Sequence, residues 1–405
     1  MRTLRIILVW TLVSLLLQGG GYFYMNKKVQ GVMAPVVNEP ITLNLTATIP
    51  GSNLQNIQVS YAKDYLAYTE NGTLKIYNLV KGKQVFEKKS PSTTDKTLGV
   101  LTYQWLPDRN TLLYFYAKKN PNEVTTVTVY PKATVKVPVI NTEDPNQKIE
   151  KEVPVQPKTE KKYGNPQITE LYSLELAESN DDTTAPDDRF NQSIDNLPKG
   201  GKIENLVFST SSNLIYLTVK NETTQLLMQI DVMKNVRTLN KAGEAIDAMA
   251  ASDRYGTLYI DSKVGSTNQV IALDGTARRI ISKQSNDKIL GIRDGKIYIG
   301  EVINNALVKI KTTQDRAELT DNPTLKTEWE GSIPFKDDVR MLIGAKGQVI
   351  VYDNQTAYIV TAGQLEEVKL QGDENYVSVD GAELIQLTQQ GTSTLVGLQP
   401  LKPKK

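Results

Sequence analysis

Neither cysteine nor histidine occurs among the 405 residues. Without cysteine there is no disulfide, no thiolate nucleophile, no iron–sulfur ligand and no lipobox residue to carry an acyl chain. Without histidine there is no Ser-His-Asp or Cys-His site, no His-ligated zinc and no imidazole base. The G-x-S-x-G, G-x-x-x-x-G-K-[ST] and G-x-G-x-x-G patterns are missing too, which removes the nucleophile elbow, the phosphate loop and the dinucleotide loop. Catalysis on such a chain would rest on carboxylates, Lys, Tyr or a hard metal ion. No charge of one sign dominates: 47 Lys and Arg against 45 Asp and Glu leave a net +2. A chain-wide nucleic-acid footprint is therefore not expected.

What is present is an ordinary globular balance, 40% hydrophobic and 23% charged, in a length that suits one large all-β domain or two smaller ones. The N-terminus stands apart. Arg2 and Arg5 precede an apolar run from Ile6 to Leu17, and Ile6 to Met25 carries no charge. At about 1.5 Å rise per residue the segment from Leu4 to Met25 reaches about 33 Å, enough for a hydrocarbon core of about 30 Å. Tyr22, Phe23 and Tyr24 would sit at the far interface, and Lys27 and Lys28 end the run. The segment reads as an uncleaved signal anchor, residues 1–28, with the lipid bilayer as its partner through residues 4–25. A linker, 29–40, follows. The short tail argues for the N-terminus inside and the body outside the cytoplasm. Cleavage and secretion is the alternative, with a poor site at Gly19-Gly20-Gly21 and a distant one at Val32-Met33-Ala34.

Beyond Lys28 the chain reads as short β-rich runs punctuated by Gly, Asn and Asp. "LAYTENGTLKIYNL" predicts a tight hairpin in which Asn71-Gly72 supplies the positive φ values of a type I′ turn. The strand core recurs as "TLLYFY", "NLIYLTV", "GTLYIDS", "GKIYIGE", "GQVIVYD" and "AELIQLT". Its anchors are Leu66, Leu112, Leu214, Leu258, Ile297, Val349 and Leu384, spaced by 46, 102, 44, 39, 52 and 35 residues. A period of about 40–45 residues with four short strands per unit is the propeller signature. The last unit supplies three strands, and an unpartnered "ITLNLTATI" (41–49) precedes the first. Giving 41–49 to the last blade as its outer strand closes the ring and hides two sheet edges. The expected fold is thus an all-β, seven-bladed β-propeller over 41–400, closed by an N-terminal strand and preceded by one transmembrane helix. A basic tail, 401–405, ends the chain.

"YQWLPDRNTLLYFY" (103–116) resembles the W-x-P-D-x-x-x-L-x-[YF] repeat of bacterial TolB-type, WD40-like propellers. "ITELYSLELAES" and "LLMQIDVMKNVRTL" are similar to the third strands of that family. The resemblance implies a rigid binding platform.

The 102-residue spacing marks an insertion, 121–166, which holds seven of the eighteen prolines. Removing it leaves 56, near the period. "EVTTVTVYPKATVKVPVI" alternates β-branched and polar residues and predicts a protruding ribbon. "NTEDPNQKIEKEVPVQPKTEKK" reads as mixed charge and polyproline II. The insertion is either a solvated loop or a partner-binding arm.

Two acidic sets invite a functional reading. "NDDTTAPDDR" gathers Asp181, Asp182, Asp187 and Asp188, oxygen ligands suited to Ca²⁺ but without EF-hand or nonapeptide spacing. Glu204, Asp247 and Asp338 each fall near the start of an inner strand, where facing carboxylates could run glycoside chemistry. Solvated or ion-paired acids are the default for both, so no catalytic, cofactor or metal residue is assigned and no cofactor is expected. The functional expectation is a non-catalytic, membrane-tethered, extracytoplasmic platform. It would meet a protein partner through 121–166 or a propeller face. The alternative is a carboxylate- or metal-dependent propeller hydrolase.

Overall fold

The computed structural model describes residues 44–401 except 130–133, 141–147, 179, 180, 182, 195, 196, 198, 199, 222, 223, 317–319 and 337; before residue 44 it describes Thr11, Ser14, 17–22, Tyr24 and Met25. The chain divides into two units, Met1–Pro40 and Ile41–Lys405. In the first, the described residues are helical and exposed. The transmembrane helix expected over 4–25 is not supported: among the described residues no helix is long and apolar enough to cross a membrane. The described part carries Gln18 and Gly19, Gly20 and Gly21 in place of continuous aliphatic side chains. The rest of that segment, the flanking Arg2, Arg5, Lys27 and Lys28, the linker 29–40 and most of the basic tail lie outside the described residues.

The second unit is a seven-bladed propeller. Among the described residues there are seven antiparallel sheets of four strands. Blade 1 comprises Gln55–Val59, Tyr65–Glu70, Thr73–Asn78 and Lys83–Lys88; blade 2, Gly99–Trp105, Thr111–Lys119, Gln167–Glu175 and Asp187–Ile194. Blade 3 is Lys202–Ser209, Leu214–Lys220, Gln225–Ile230 and Val236–Thr238; blade 4, Glu244–Ala251, Leu258–Val264, Thr267–Asp274 and Ala277–Ser282. Blade 5 is Asp287–Arg293, Lys296–Ile303, Ala306–Gln314 and Lys326–Pro334; blade 6, Arg340–Ile343, Val349–Tyr352, Thr356–Thr361 and Gln364–Lys369. Blade 7 takes Glu374–Val377, Glu383–Gln390 and Ser393–Pro400, with Leu45–Pro50 as its outer strand.

Each recurring sequence core is the second strand of a blade, and the packing explains its apolar character. A blade is covered on both faces by its neighbours, so alternate residues of the second strand enter two different seams. In blade 1, Leu66 and Tyr68 pack toward blade 7, whereas Tyr65 and Ala67 pack toward blade 2. Both sets are buried, and the strand reads as an unbroken apolar run rather than an alternating one. The core is accordingly not one mass but seven clusters, one per seam, running around the ring.

The blade 1 hairpin forms as its sequence requires. Asn71 and Gly72 have φ of 51° and 75°, and Glu70 pairs with Thr73 across the turn. The Gly72 carbonyl then accepts from the Val100 N–H at 3.0 Å, so the turn also meets the inner strand of blade 2. Trp105 is structural as well: its indole donates to the Gln58 carbonyl at 3.3 Å, and the Gln58 amide donates to the Tyr103 carbonyl at 2.9 Å.

Closure joins the two ends of the repeat. Leu45 pairs with Leu398 and Ile49 with Thr394. Ala47 and Ile49 enter the seam between blades 7 and 1. Burying Ile49 contributes about 1.5–3 kcal/mol. At the nearby turns, buried Lys63 of blade 1 binds Asp380 of blade 7 at 2.8 Å. Burial alone would raise the Asp380 carboxyl, but Lys63, Ser378 and the Ala382 N–H hold it below the usual range.

Candidate functional site

The insertion leaves blade 2 after its second strand and returns at its third. Its base is tied: the Asn120 N–H donates to the Pro166 carbonyl at 2.9 Å, and the Asn120 amide to the Asn165 carbonyl at 2.6 Å. Two ribbons follow. Val124–Val129 pairs with Lys158–Tyr163, and Thr134–Ile140 pairs with Lys148–Pro154. The stretch read as polyproline II is therefore corrected: 148–154 and 158–163 are the return strands. Their β-branched and charged residues find cross-strand partners, which outweigh the prolines that flank them. In the second ribbon Val135 faces Val153, and Val137 lies two residues on, on the same face. All three are exposed, Val137 by 40%. The opposite face is charged, with Lys136 3.5 Å from Glu150 and the Thr134 hydroxyl donating to Glu152 at 3.3 Å. Among the described residues neither ribbon pairs with a further strand.

The acidic residues do not converge. Asp181 accepts from the Thr183 N–H and from the Thr183 and Thr184 hydroxyls, which hold its carboxyl far below the usual range. Asp187 pairs with Arg189. Asp188 turns the other way, to Lys88 at 2.8 Å and the Tyr114 hydroxyl at 2.6 Å. Asp182 lies outside the described residues. Glu204 and Asp247, on the inner strands of blades 3 and 4, and Asp338, just before that of blade 6, are all exposed. Glu204 is engaged by Lys220 at 3.4 Å and the Gln225 amide at 3.2 Å. Among the described residues no three acids are grouped to hold a metal ion.

The outer strand of blade 2 organises two features that sequence reading missed. Opposite Leu171 and Tyr172 the ladder slips by one residue, and Asn191 is the extra one. In a regular strand Phe190 and Gln192 would share a face; the bulge sends them to opposite faces. Phe190 joins Tyr172, Tyr114 and Tyr116 in the seam with blade 1. There Tyr114 and Tyr172 stack at 5.1 Å, and the Lys88 ammonium lies 3.9 Å from the Tyr172 ring centre. Burial, with Asp188 adjacent, pushes the Tyr114 hydroxyl far up. Gln192 points into the seam with blade 3 beside Leu171. There a cleft of about 340 Å³ opens. Gln192 is only 7% exposed, and among the described residues its amide nitrogen has no partner. The only cue in the sequence is a buried-type alternation in "DDRFNQSI" interrupted by Gln.

Buried charge is concentrated in blades 4 and 5. Glu244 takes a bidentate Arg278 at 2.7 and 2.8 Å. Burial alone would raise its carboxyl, but Arg278 and Ser262 bring it below the usual range. Among the described residues Asp261 accepts only from the Ile289 N–H, at 2.7 Å, and its second oxygen is unpartnered. Burial, reinforced by Asp247 and Asp287, pushes its carboxyl up to about 8.

No family model matches the chain, and no curated protein does. Among solved structures, the β-propeller domain of Cps50 (Swd1) from Myceliophteria thermophila is similar at 12% identity. It covers 89% of this chain and 99% of that one, with a TM-score of 0.50. TolB from Acinetobacter baumannii is similar at 8% identity over 85% of this chain and 79% of its own, with a TM-score of 0.38. The first likeness is one of fold alone and agrees with the seven-bladed ring.

Proposed function

We propose that the protein is a non-catalytic binding platform whose arm, 121–166, makes the main contact with a protein partner. The observation that carries this reading is the second ribbon. It presents Val135, Val137 and Val153 on one face and has open edges. Exposed β-branched residues on an unpaired ribbon suit addition of an extended segment or a sheet edge from another protein. The tied base holds the arm on blade 2 and limits the freedom it loses on docking. The run at 4–25, uncharged from Ile6 onward, supports tethering at a membrane with the ring outside the cytoplasm. The hydrolase alternative draws on Glu204, Asp247 and Asp338; Glu204 is held by Lys220 and Gln225 rather than free for proton transfer.

The test replaces residues 122–163 by two glycines and recovers partners from crosslinked membranes. Loop closure changes stability only slowly with length, so the melting temperature should stay within a few degrees while partner recovery is lost. Recovery of the same partners at the same yield would reduce the arm to a loop.

A further inference from the structure

We propose that the cleft between blades 2 and 3 binds a small, mainly apolar molecule that carries one hydrogen-bond acceptor. This site is independent of the arm. In an antiparallel blade the first-to-second and third-to-outer turns share one rim, and the second-to-third connection lies at the other. The cleft is bounded by turns of the first kind, 107–110, 210–213 and 231–235, so it opens on the rim away from the arm.

Four observations carry the proposal. The floor is apolar, formed by Leu106, Leu113, Leu171, Phe208, Leu214 and Ile215, and a volume of about 340 Å³ suits a small ligand. The bulge at Asn191 brings the Gln192 side chain to this lining; its amide nitrogen is buried and, among the described residues, without a partner, and rotation of the terminal amide opens it to an occupant. An unpaired buried donor is costly, and an acceptor on a bound molecule removes that cost.

The lip is also built. Val232 and Met233 are 65% and 77% exposed in the turn beside the cleft. That turn is fixed by Asp231, which accepts from the Asn235 N–H and amide at 2.8 Å each, and by Lys234, whose ammonium donates to the Asn191 carbonyl at 2.6 Å. An apolar lip is thereby fastened to the same bulge that aims the amide.

Finally, several neighbouring seams are sealed at this rim. Asn110 bonds Asp64 between blades 2 and 1 at 3.2 Å, Ser209 bonds the Ser252 carbonyl between blades 3 and 4 at 2.5 Å, and the Ala345 N–H bonds the Asp380 carbonyl between blades 6 and 7 at 2.7 Å. Among the described residues no hydrogen bond joins turn 107–110 of blade 2 to turn 210–213 of blade 3. The ring is open where the unpaired amide sits.

Acetanilide and n-propylbenzene are similar in size, and only the first has a carbonyl acceptor. Saturation-transfer NMR titrations of both against the full chain test the site. Acetanilide should bind the wild type and lose binding in Thr210→Trp, which fills the mouth. Gln192→Leu should weaken acetanilide roughly three- to tenfold, the worth of one hydrogen bond, and leave propylbenzene unchanged or tighter. Gln192→Leu removes an unpaired amide, so it should melt at or above the wild type and decides the matter alone if Thr210→Trp does not fold. Failure of both compounds to bind the wild type, as a merely hydrated cleft would give, overturns the proposal. So does acetanilide binding that Gln192→Leu leaves unchanged.

Discussion

The closing strand, Leu45–Pro50, completes a four-strand blade and the arm is added to one, and both alternate apolar with polar residues. They end in opposite environments. Ala47 and Ile49 of the closing strand sit in the seam between blades 7 and 1, whereas Val135, Val137 and Val153 of the arm face solvent. Alternation therefore reports that a segment is a strand with one apolar face. It does not report what covers that face. Cover comes from residues far away in the chain, here the blade 7 strand Ser393–Pro400, or from another molecule.

The contrast is broken most severely by deletion. Removing 45–50 strips one edge of blade 7 and uncovers its seam with blade 1. A loss on the order of 5 kcal/mol or more is expected from the buried side chains and ladder bonds together. Calorimetry should show a melting temperature lowered by at least ten degrees or no cooperative transition. A ring that melts normally would make the closing strand as dispensable as the arm.

The ion pairs sharpen the same contrast at the next scale. Lys63 and Asp380 are buried at the closure; Lys136 and Glu150 are exposed on the arm. Lys63→Ala leaves a mostly buried carboxylate without its cation and should cost about 3 kcal/mol or more. Lys136→Ala should change stability by about 0.5 kcal/mol or less. Because the folded state depresses the Asp380 carboxyl, the stability from its pair is present above the ordinary carboxylate range. It is lost as pH falls below that range, through the depressed folded value. The gap between wild type and Lys63→Ala should narrow as pH is taken below the ordinary carboxylate range. Equal effects of the two truncations in denaturant titrations would contradict the comparison.

Asp261 gives a pH dependence of the opposite sign. Its folded value of about 8 lies above the unfolded value of about 3.9. The folded state keeps the proton across that window, so stability falls as pH rises from about 4 to about 8. Asp261→Asn should remove this slope. It should gain on the order of 5 kcal/mol over the wild type at pH 9, the linkage of that shift at about 1.4 kcal/mol per pH unit, and little at pH 4. A gain of the same size at both pH values would rule out titration of Asp261 as its source.

Much of the ring could be read from the chain because propeller packing writes itself into the second strands. Leu66, Leu112 and Leu214 sit in strands buried on both faces, and their apolar cores recur at the blade period. The Asn71-Gly72 turn was readable because its backbone angles leave few residue choices. The aromatic cluster and the cleft were not readable, since both depend on one ladder slip at Asn191. No residue type encodes that slip, and a regular strand would have placed Gln192 beside Phe190. The return strands of the arm were missed because proline composition was weighed above cross-strand pairing. Asp181, Asp187 and Asp188 looked like a set because they are neighbours in sequence, but a turn and an antiparallel edge send each to a different partner.

The pairing of Leu45 with Leu398 also sets a timetable for biosynthesis. The closing strand is among the first parts of the propeller to be made, and its partner is among the last. At about 5–20 residues per second the wait is on the order of tens of seconds. Throughout it, Ala47 and Ile49, the unpaired backbone of the closing strand and the uncovered face of blade 1 are available to other exposed segments. The nascent chain is thus most exposed to misassembly just before the ring shuts, and a holding chaperone would act in that interval.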